Sequence, residues 1–177
     1  MTATFERDKV QGAMIDYRFD WSALLGADTI SSASWSVSGV TAGATASTTT
    51  TTTQRASGGT VGTPATITSH IVTAAGYEYE VTLALTILAS KQVNAFRKAP
   101  GEVLPVPAPT WSDLGTDTVS SYSWSAASGL TIASGGSSAT VVISGGTAGM
   151  DYALTCTMTT TSGQIDAGVI KVQVRDL

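Results

Sequence analysis

The chain has little charge, few side chains able to perform chemistry and no long apolar run. Only 12% of its 177 residues are charged, and it contains one histidine and one cysteine. A single cysteine cannot form a disulfide within the chain. The longest apolar-leaning run, Val81–Ala89, is far shorter than the ~20 residues of a membrane-spanning helix. The opening residues, MTATFERDKVQG, lack the apolar core of a secretory signal. We therefore expect a protein made in a cytoplasm, with no membrane partner.

The low content of basic residues argues against a nucleic-acid partner. The formal net charge is −4 and the isoelectric point is near 4.7, whereas binding to phosphates requires a basic surface. Glycine, serine, threonine and alanine make up much of the remainder, and such residues suit short strands and turns. A hydrophobic fraction of 42% is enough for a packed core.

Catalytic motifs are missing from the sequence. The only histidine, His70, has no nucleophile motif near it, and Cys156 alternates with Leu154 and Met158 as a buried small residue would. No G-x-S-x-G, H-E-x-x-H, P-loop or Cys/His cluster occurs. We expect a protein that is not an enzyme, with no catalytic residue and no cofactor site.

Five aspartates are the only candidates for a metal site. They are Asp16, Asp20, Asp28, Asp113 and Asp117. Carboxylates in acidic sandwich proteins can bind calcium, but this spacing fits no EF-hand loop, and aspartate is common in turns for conformational reasons. No metal site is assigned to them.

One segment of the sequence occurs twice. DTISSASWS at Asp28–Ser36 recurs as DTVSSYSWS at Asp117–Ser125, and a Trp-Ser pair precedes each copy, beginning at Trp21 and Trp111. A second match aligns Ala75–Thr86 with Ala148–Thr159. Recurrence in the same order indicates two copies of one domain. Fewer residues separate the two matches in the second copy than in the first copy. This difference predicts extra residues in the first copy.

Composition sets the predicted boundaries. The extra residues coincide with a Thr/Gly-rich run, so we predict a loop insert at residues 45–64. Four of the five prolines lie in residues 98–109, which predicts a stiff linker. The predicted organisation is an N-terminal arm (1–14), a first domain (15–97), the linker (98–109) and a second domain (110–177).

Alternation of apolar and polar residues predicts β-structure in both copies. Tyr79, Val81, Leu83, Leu85 and Ile87 fall on one face of a strand, and no segment holds a helical period over ten residues. The predicted fold is all-β, with two tandem small Ig-like β-sandwich domains joined by a proline-rich linker.

The repeated aromatic residues fit structural roles in such domains. Trp35 and Trp124 occupy the same place in the repeat, and we interpret them as core residues rather than exposed platforms that stack on sugars. Trp21 and Trp111 are interpreted as packing under the first turn, with a partner contact as the alternative. Tyr79 and Tyr152 each open a long strand soon after an Ala-Gly pair. This pattern predicts a tyrosine corner, in which the hydroxyl bonds a backbone group.

The order of these motifs resembles a family of phage proteins. A Trp-Ser opening, Asp-Thr-Ile/Val, a Ser-rich strand containing tryptophan, GLTI, SGGTAG and a Thr-rich hairpin follow one another in the second copy, and the first copy repeats most of them. This order is similar to that of Ig-like virion proteins of tailed bacteriophages, namely fibre–tail adaptors, neck proteins and capsid-decoration proteins. The first copy departs from the pattern, because IVTAAG stands in place of SGGTAG.

The resemblance implies a structural virion protein that assembles in the host cytoplasm. It implies an oligomeric adaptor at the neck or tail, whose partners are further copies of itself and other virion proteins of the neck, tail, fibre or capsid. A capsid-decoration protein is the alternative within this class. From another class, a bacterial surface or carbohydrate-binding β-sandwich module also fits the composition.

Overall fold

The structure, a computed structural model, describes residues 2–111, 114 and 117–176. The chain divides into two compact units, Met1–Ala89 and Ser90–Leu177. Nearly all regular structure is β, as predicted, and one short helix, α1 (Ser22–Leu25), is present. No helix among the described residues has the length and apolar character needed to cross a bilayer.

Among its described residues, the first unit contains seven strands in two layers. They are β1 (Thr2–Val10), β2 (Met14–Asp20), β3 (Ile30–Ser38), β4 (Thr41–Ser47), β5 (Thr51–Ser57), β6 (Ala65–Thr73) and β7 (Glu78–Leu88). One layer has the order β1-β7-β6-β3, with β1 parallel to β7. In the other layer β5 lies between β2 and β4. Two stacked sheets with these neighbours form an Ig-like sandwich.

The second unit repeats this plan strand for strand. Its strands are β8 (Gln92–Lys98), β9 (Leu104–Pro107), β10 (Val119–Ala126), β11 (Leu130–Ser134), β12 (Thr140–Gly145), β13 (Asp151–Thr160) and β14 (Ile165–Val174). One layer has the order β8-β14-β13-β10, again with its first strand parallel to its neighbour. In the other layer β12 lies between β9 and β11. Each strand from β8 to β14 therefore has an equivalent from β1 to β7.

Segments that the sequence assigns to an arm and a linker form strands instead. Residues 2–10 of the predicted arm are β1, the first strand of the first sandwich. The predicted linker, 98–109, includes the end of β8 and the whole of β9. Proline has no N–H for a sheet ladder and is tolerated on edge strands, and Pro105 and Pro107 stand on β9, at the edge of its layer. Three residues, 89–91, separate β7 from β8.

The Thr-rich run is also a strand rather than an inserted loop. Residues 51–57 form β5, which pairs with β2 and β4, and its equivalent in the second unit is β12. Threonine is β-branched and favours strands.

The second sequence match, between residues 75–86 and 148–159, joins strands that are not structural equivalents. Its first member covers β7 and its second covers β13, whereas the structural equivalent of β7 is β14.

Each unit has its own apolar core. In the second unit Trp124, Leu154, Cys156, Ile170 and other buried residues form one cluster. The first unit has two smaller clusters, one around Ile67, Leu83 and Leu85 and the other around Trp21, Leu25 and Ile71. The first unit also buries polar side chains between its layers, among them Thr52, Gln54 and Ser69.

Candidate functional site

His70 and Cys156, the side chains considered for catalysis, have structural surroundings. His70 lies on the outer face of β6, with its Nε2 atom 3.4 Å from Oε2 of Glu78. Cys156 is fully buried in the core of the second unit, and burial raises the pKa of its thiol to about 11. A thiol with a raised pKa is a poor nucleophile at neutral pH.

The aspartates considered as calcium ligands bind protein groups where the structure describes them. Asp16 forms a two-point ion pair with Arg55, with distances of 2.7 and 2.8 Å. Asp20 accepts a bond from the Ser22 N–H. Among the described residues no group of three or more His, Cys, Asp or Glu side chains is placed to hold a metal ion. Asp113 lies outside the described residues.

The Asp-Thr pair that opens the repeated segment forms the same corner in both units. Asp28 accepts a bond from the N–H of Thr29, and Asp117 accepts one from the N–H of Thr118. Hydrogen bonds lower the pKa of both carboxyls, with the Thr73 side chain as the largest cause for Asp28. For Asp117 the largest causes are hydroxyl groups in the turn between β13 and β14. The register of the next strand shifts once at the same place in each unit, between Ile30 and Ser32 and between Val119 and Ser121.

The hydroxyl groups on Asp117 come from one turn. Ser162 Oγ donates to Oδ2 at 2.5 Å and Thr161 Oγ1 donates to Oδ1 at 2.6 Å. Gln164 Nε2 also donates to Oδ2, at 3.3 Å. The carboxylate thus ties the start of β10 to the hairpin that joins β13 and β14.

The tryptophans of the repeat pack at the cores. Trp124 is 7% exposed, and its Nε1 atom donates to the Ser138 carbonyl at 2.8 Å. Trp35 is partly buried and lies against Phe19, with ring centroids 5.6 Å apart. Trp21 is buried, and its Nε1 atom donates to Thr52 Oγ1 at 2.9 Å. Trp111 packs against the core of the second unit.

One of the two predicted tyrosine corners has the expected bond. The Tyr152 hydroxyl accepts a bond from the Thr147 N–H at 3.0 Å. Tyr79 packs against the cluster around Trp21. The two tyrosines are not equivalent, because Tyr152 lies on β13 and Tyr79 on β7.

Two buried lysines mark equivalent corners that the sequence analysis missed. The Nζ atom of Lys9 donates to the carbonyls of Val10, Ala13 and Gly58 at 3.0, 2.6 and 2.8 Å. Both Gly58 and its equivalent Gly145 have positive φ, of 67° and 79°, a conformation that glycine adopts without strain.

The second corner repeats the first. The Nζ atom of Lys98 donates to the carbonyls of Ala99, Pro100 and Gly145 at 2.7, 3.3 and 2.6 Å. The signal in the sequence is a shared lysine followed three residues later by glycine, KVQG at residues 9–12 and KAPG at 98–101. Buried charges in proteins are paired or fully hydrogen-bonded, and here backbone carbonyls fill that role.

Each unit presents a flat face of hydroxyl groups to solvent. The serines that alternate with the core residues of β3 and β10 point outward and are exposed. Threonines on β13 lie opposite all three serines of β10, whereas on β6 Thr68 lies opposite Ser36 and Thr66 opposite Ser38. We call these surfaces the hydroxyl faces; their members are Ser32, Ser34, Ser36, Thr66 and Thr68 in the first unit and Ser121, Ser123, Ser125, Thr155, Thr157 and Thr159 in the second.

The family comparison covers both units. The model of the family described as "Podophage GP4 fiber-tail adaptor protein gp77" matches residues 9–86 and 98–173. The two matched ranges begin at Lys9 and Lys98, the two buried lysines. A comparison with curated protein sequences finds no match.

Solved structures with tandem Ig domains are among those to which the chain is similar. Titin domains Z1Z2 in complex with telethonin are 9% identical, with 98% of this chain and 92% of that chain covered and a TM-score of 0.33. Titin domains A164-A165 are 11% identical, with 98% and 94% covered and a TM-score of 0.33. The Ig1-2 module of the Drosophila receptor protein tyrosine phosphatase DLAR is 10% identical, with 97% and 95% covered and a TM-score of 0.35. At these scores the likeness says nothing about function.

Proposed function

Because this chain belongs to the podophage GP4 fibre-tail adaptor family, and is therefore a structural phage protein, we propose that it joins fibres to the phage particle at the neck or tail. In this role it acts without catalysis, as an oligomer of identical chains. Its partners are other virion proteins, and assembly takes place in the host cytoplasm.

The observation that carries this proposal is the extent of the family match over two complete sandwiches. Within the part of the chain that the structure describes, each unit has seven strands, its own core and its own lysine corner. A chain with two separately packed bodies has two separate surfaces, and an adaptor must hold two components at once. We propose that one unit binds the particle and the other binds the fibre or a neighbouring virion protein.

The hydroxyl faces are the surfaces that we propose for these contacts. They carry the same serine ladder in both units, and its side chains are exposed. They differ in their neighbours, because His70 lies opposite Ser34 on β6, whereas Thr157 lies opposite Ser123 on β13. A shared scaffold with different neighbouring side chains would give each unit its own partner.

The experiment uses phage that lack this chain, complemented with variants of it. Unaltered chain should restore fibres to the particles. Ser34→Arg and Ser123→Arg place the same bulky cation at equivalent exposed positions of the two units, so each variant serves as the matched control of the other. We expect one variant to stay off the particle and the other to bind the particle without capturing fibres, as measured by particle composition and electron microscopy.

Two results would contradict the proposal. Particles that carry a normal complement of fibres in the absence of the chain would exclude the adaptor role. Normal attachment by both variants, each shown to be folded by circular dichroism, would exclude the hydroxyl faces as the contact surfaces.

A further inference from the structure

One edge of the first unit's four-stranded sheet lacks the features that keep sheet edges unpaired. The sheet ends in β1 on one side and in β3 on the other. Charged residues, prolines and bulges commonly protect such edges from pairing with other chains. β1 has charged residues at positions 6–9, whereas residues 29–54 include no charged residue and no proline. The register of β3 shifts between Ile30 and Ser32, so residues 32–38 form a regular edge without this protection.

The second unit covers its equivalent edge with a turn. The N–H of Trp124, in the middle of β10, donates to the Gly136 carbonyl at 3.2 Å. Counting back from the glycines bound by the two corner lysines, Thr49 stands where Gly136 stands, but its carbonyl binds the Ile30 N–H at the start of β3, at 2.8 Å. Among the described residues no turn carbonyl binds the N–H of Trp35, the counterpart of Trp124. The middle of β3 is therefore left open.

The open edge presents the main-chain groups of alternate residues. Neighbouring residues of an antiparallel ladder direct their N–H and C=O groups to opposite sides. The Trp124 N–H points away from β13, so the matching register places the N–H of Trp35 on the open side of β3. Ala33 and Val37 share this direction. The serines between them direct their main-chain groups to β6, and their side chains are exposed.

We propose that β3 pairs antiparallel with β3 of a second copy, about a two-fold axis at Trp35, so that two four-stranded sheets become one. The strand reads SASWSVS around Trp35, nearly the same in both directions. Symmetric pairing sets Trp35 opposite its counterpart and Ala33 opposite Val37. It also sets Ser34 opposite Ser36 on the outer face, and hydroxyl pairs across strands stabilise a sheet.

Charge and direction favour a second copy as the occupant of this edge. Each chain has a formal net charge of −4, which opposes association of two copies, and a surface without charge opposes it least. In the symmetric register every residue that directs its main-chain groups outward meets a residue that does the same. The inference rests on the self-association in the proposed function and names the surface that performs it. The hydroxyl face of the first unit stays exposed and continues across both copies.

Two serine-to-cysteine variants test the register in the full chain. Ser34 and Ser36 of the second copy would form a pair that exchanges no main-chain bonds, with Cα atoms ~4.5 Å apart, a distance that a disulfide spans. Ser34→Cys is mixed with Ser36→Cys, one of them labelled with heavy nitrogen so that the heterodimer has its own mass. The mixture is oxidised slowly and the linked species are counted by mass spectrometry. Cys156 stays in place because it is buried.

The matched control is Ser123→Cys mixed with Ser125→Cys, the equivalent positions beside the covered edge of β10. In the proposed register like positions are diagonal neighbours ~7–8 Å apart, too far for a disulfide without movement of the backbone. We therefore expect the Ser34–Ser36 heterodimer to exceed either of its homodimers at least about five-fold, and the control to give the ratio of random collision. Random collision in the Ser34–Ser36 mixture, or an equal excess in the control, would overturn the pairing.

The result separates this inference from the proposed function. Chains that associate by mass measurement and restore fibres, but link only at the ratio of random collision, would remove the pairing of β3 and leave the adaptor role. Chains that link in the β3 register but never restore fibres would remove the adaptor role and leave the pairing.

Discussion

The two buried lysines show how single residues set the corners of this fold. Lys98 is fully buried, and its ammonium group donates to three backbone carbonyls. These carbonyls belong to the turn after β8 and to the end of β12, so one side chain joins the two layers of the sandwich. The same arrangement recurs at Lys9, which indicates that the corner is part of the repeated domain.

Replacing Lys98 should therefore cost stability. We expect Lys98→Met to lower the free energy of unfolding of the second unit by about 1–3 kcal/mol, because buried carbonyls lose their donor. Urea denaturation followed by circular dichroism measures this change. Lys91→Met, at an exposed position, is the matched control and should change stability by no more than about 0.5 kcal/mol. Equal effects of the two variants would contradict a role for the corner.

The hydrogen bonds to the Asp117 carboxylate predict that the stability of the second unit falls at low pH. Hydroxyl groups of Ser162, Thr160 and Thr161 hold the pKa of Asp117 well below its ordinary value. A lowered pKa in the folded state means that the stabilisation is present above the ordinary carboxyl pKa and is lost as the pH falls towards the folded value. We expect the thermal midpoint of Asp117→Asn to be lower than that of the unaltered chain at pH 7, and to fall less between pH 5 and pH 2.

Thermal melts at several pH values check this expectation. Asp176→Asn, which alters an exposed carboxylate of the same unit, should retain the full acid dependence of the unaltered chain. An unchanged pH profile in Asp117→Asn would show that the turn is held by other contacts.

At the scale of elements, β5 shows why a run of threonines belongs in a sandwich. Its alternate residues face inward, and Thr52 Oγ1 accepts a bond from the Trp21 indole and lies 2.9 Å from Ser69 Oγ. On the same strand, Gln54 donates to the carbonyls of Gly43 and Arg55. Thr52 thus links the two layers through hydrogen bonds, whereas the bonds of Gln54 stay within the layer of β4 and β5.

Removal of the Thr52 hydroxyl should break the hydrogen bonds that link the two layers. We expect Thr52→Val to destabilise the first unit by about 1–3 kcal/mol, because the Trp21 N–H and the Ser69 hydroxyl lose a buried partner. The near-ultraviolet circular dichroism of the tryptophans should change as well. Thr53→Val, the next residue along the strand and on its outer side, is the control and should remain within about 0.5 kcal/mol. A Thr52→Val variant as stable as this control would contradict the hydrogen-bonded core.

At the scale of the whole molecule, two sandwiches with one strand order have different cores. Counting back from the corner glycines, Gln54 of the first unit corresponds to Val141 of the second. By strand register, Ser69 corresponds to Cys156. Burial of polar groups gains less free energy than burial of apolar groups of similar size, even when they are hydrogen-bonded. The first unit should therefore be the less stable of the two.

Hydrogen exchange and thiol labelling can rank the units in one sample. We expect amides of β6 and β7 to lose protection at a lower urea concentration than that at which Cys156 begins to react with a thiol reagent. Cys156 is a suitable reporter because burial raises the pKa of its thiol to about 11 in the folded unit. Reaction of Cys156 before β6 becomes exposed would reverse the ranking.

The sequence alone predicts the fold class and the tandem arrangement, and it places several core residues well. Alternation identified Leu83, Leu85 and Leu154 as inward-facing, and all three are buried. The boundaries of the strands and domains could not be predicted as well, because an edge strand with prolines and an inner strand with threonines have the composition of a linker and of a loop. The lysine corners are not evident from the sequence, because the hydrogen bonds from lysine to backbone carbonyls depend on the geometry of the turns and not on a side-chain motif.

The difference between the two cores also bears on folding fidelity. Neighbouring domains with the same strand order can misfold by exchanging equivalent strands during synthesis. A hybrid that placed β5 in the position of β12 would bury the Gln54 amide where Val141 now lies. The amide would keep the Arg55 carbonyl of its own strand and lose that of Gly43, and loss of a buried partner costs about 1–3 kcal/mol. We therefore expect the mismatch between the polar and the apolar interior to disfavour such hybrids.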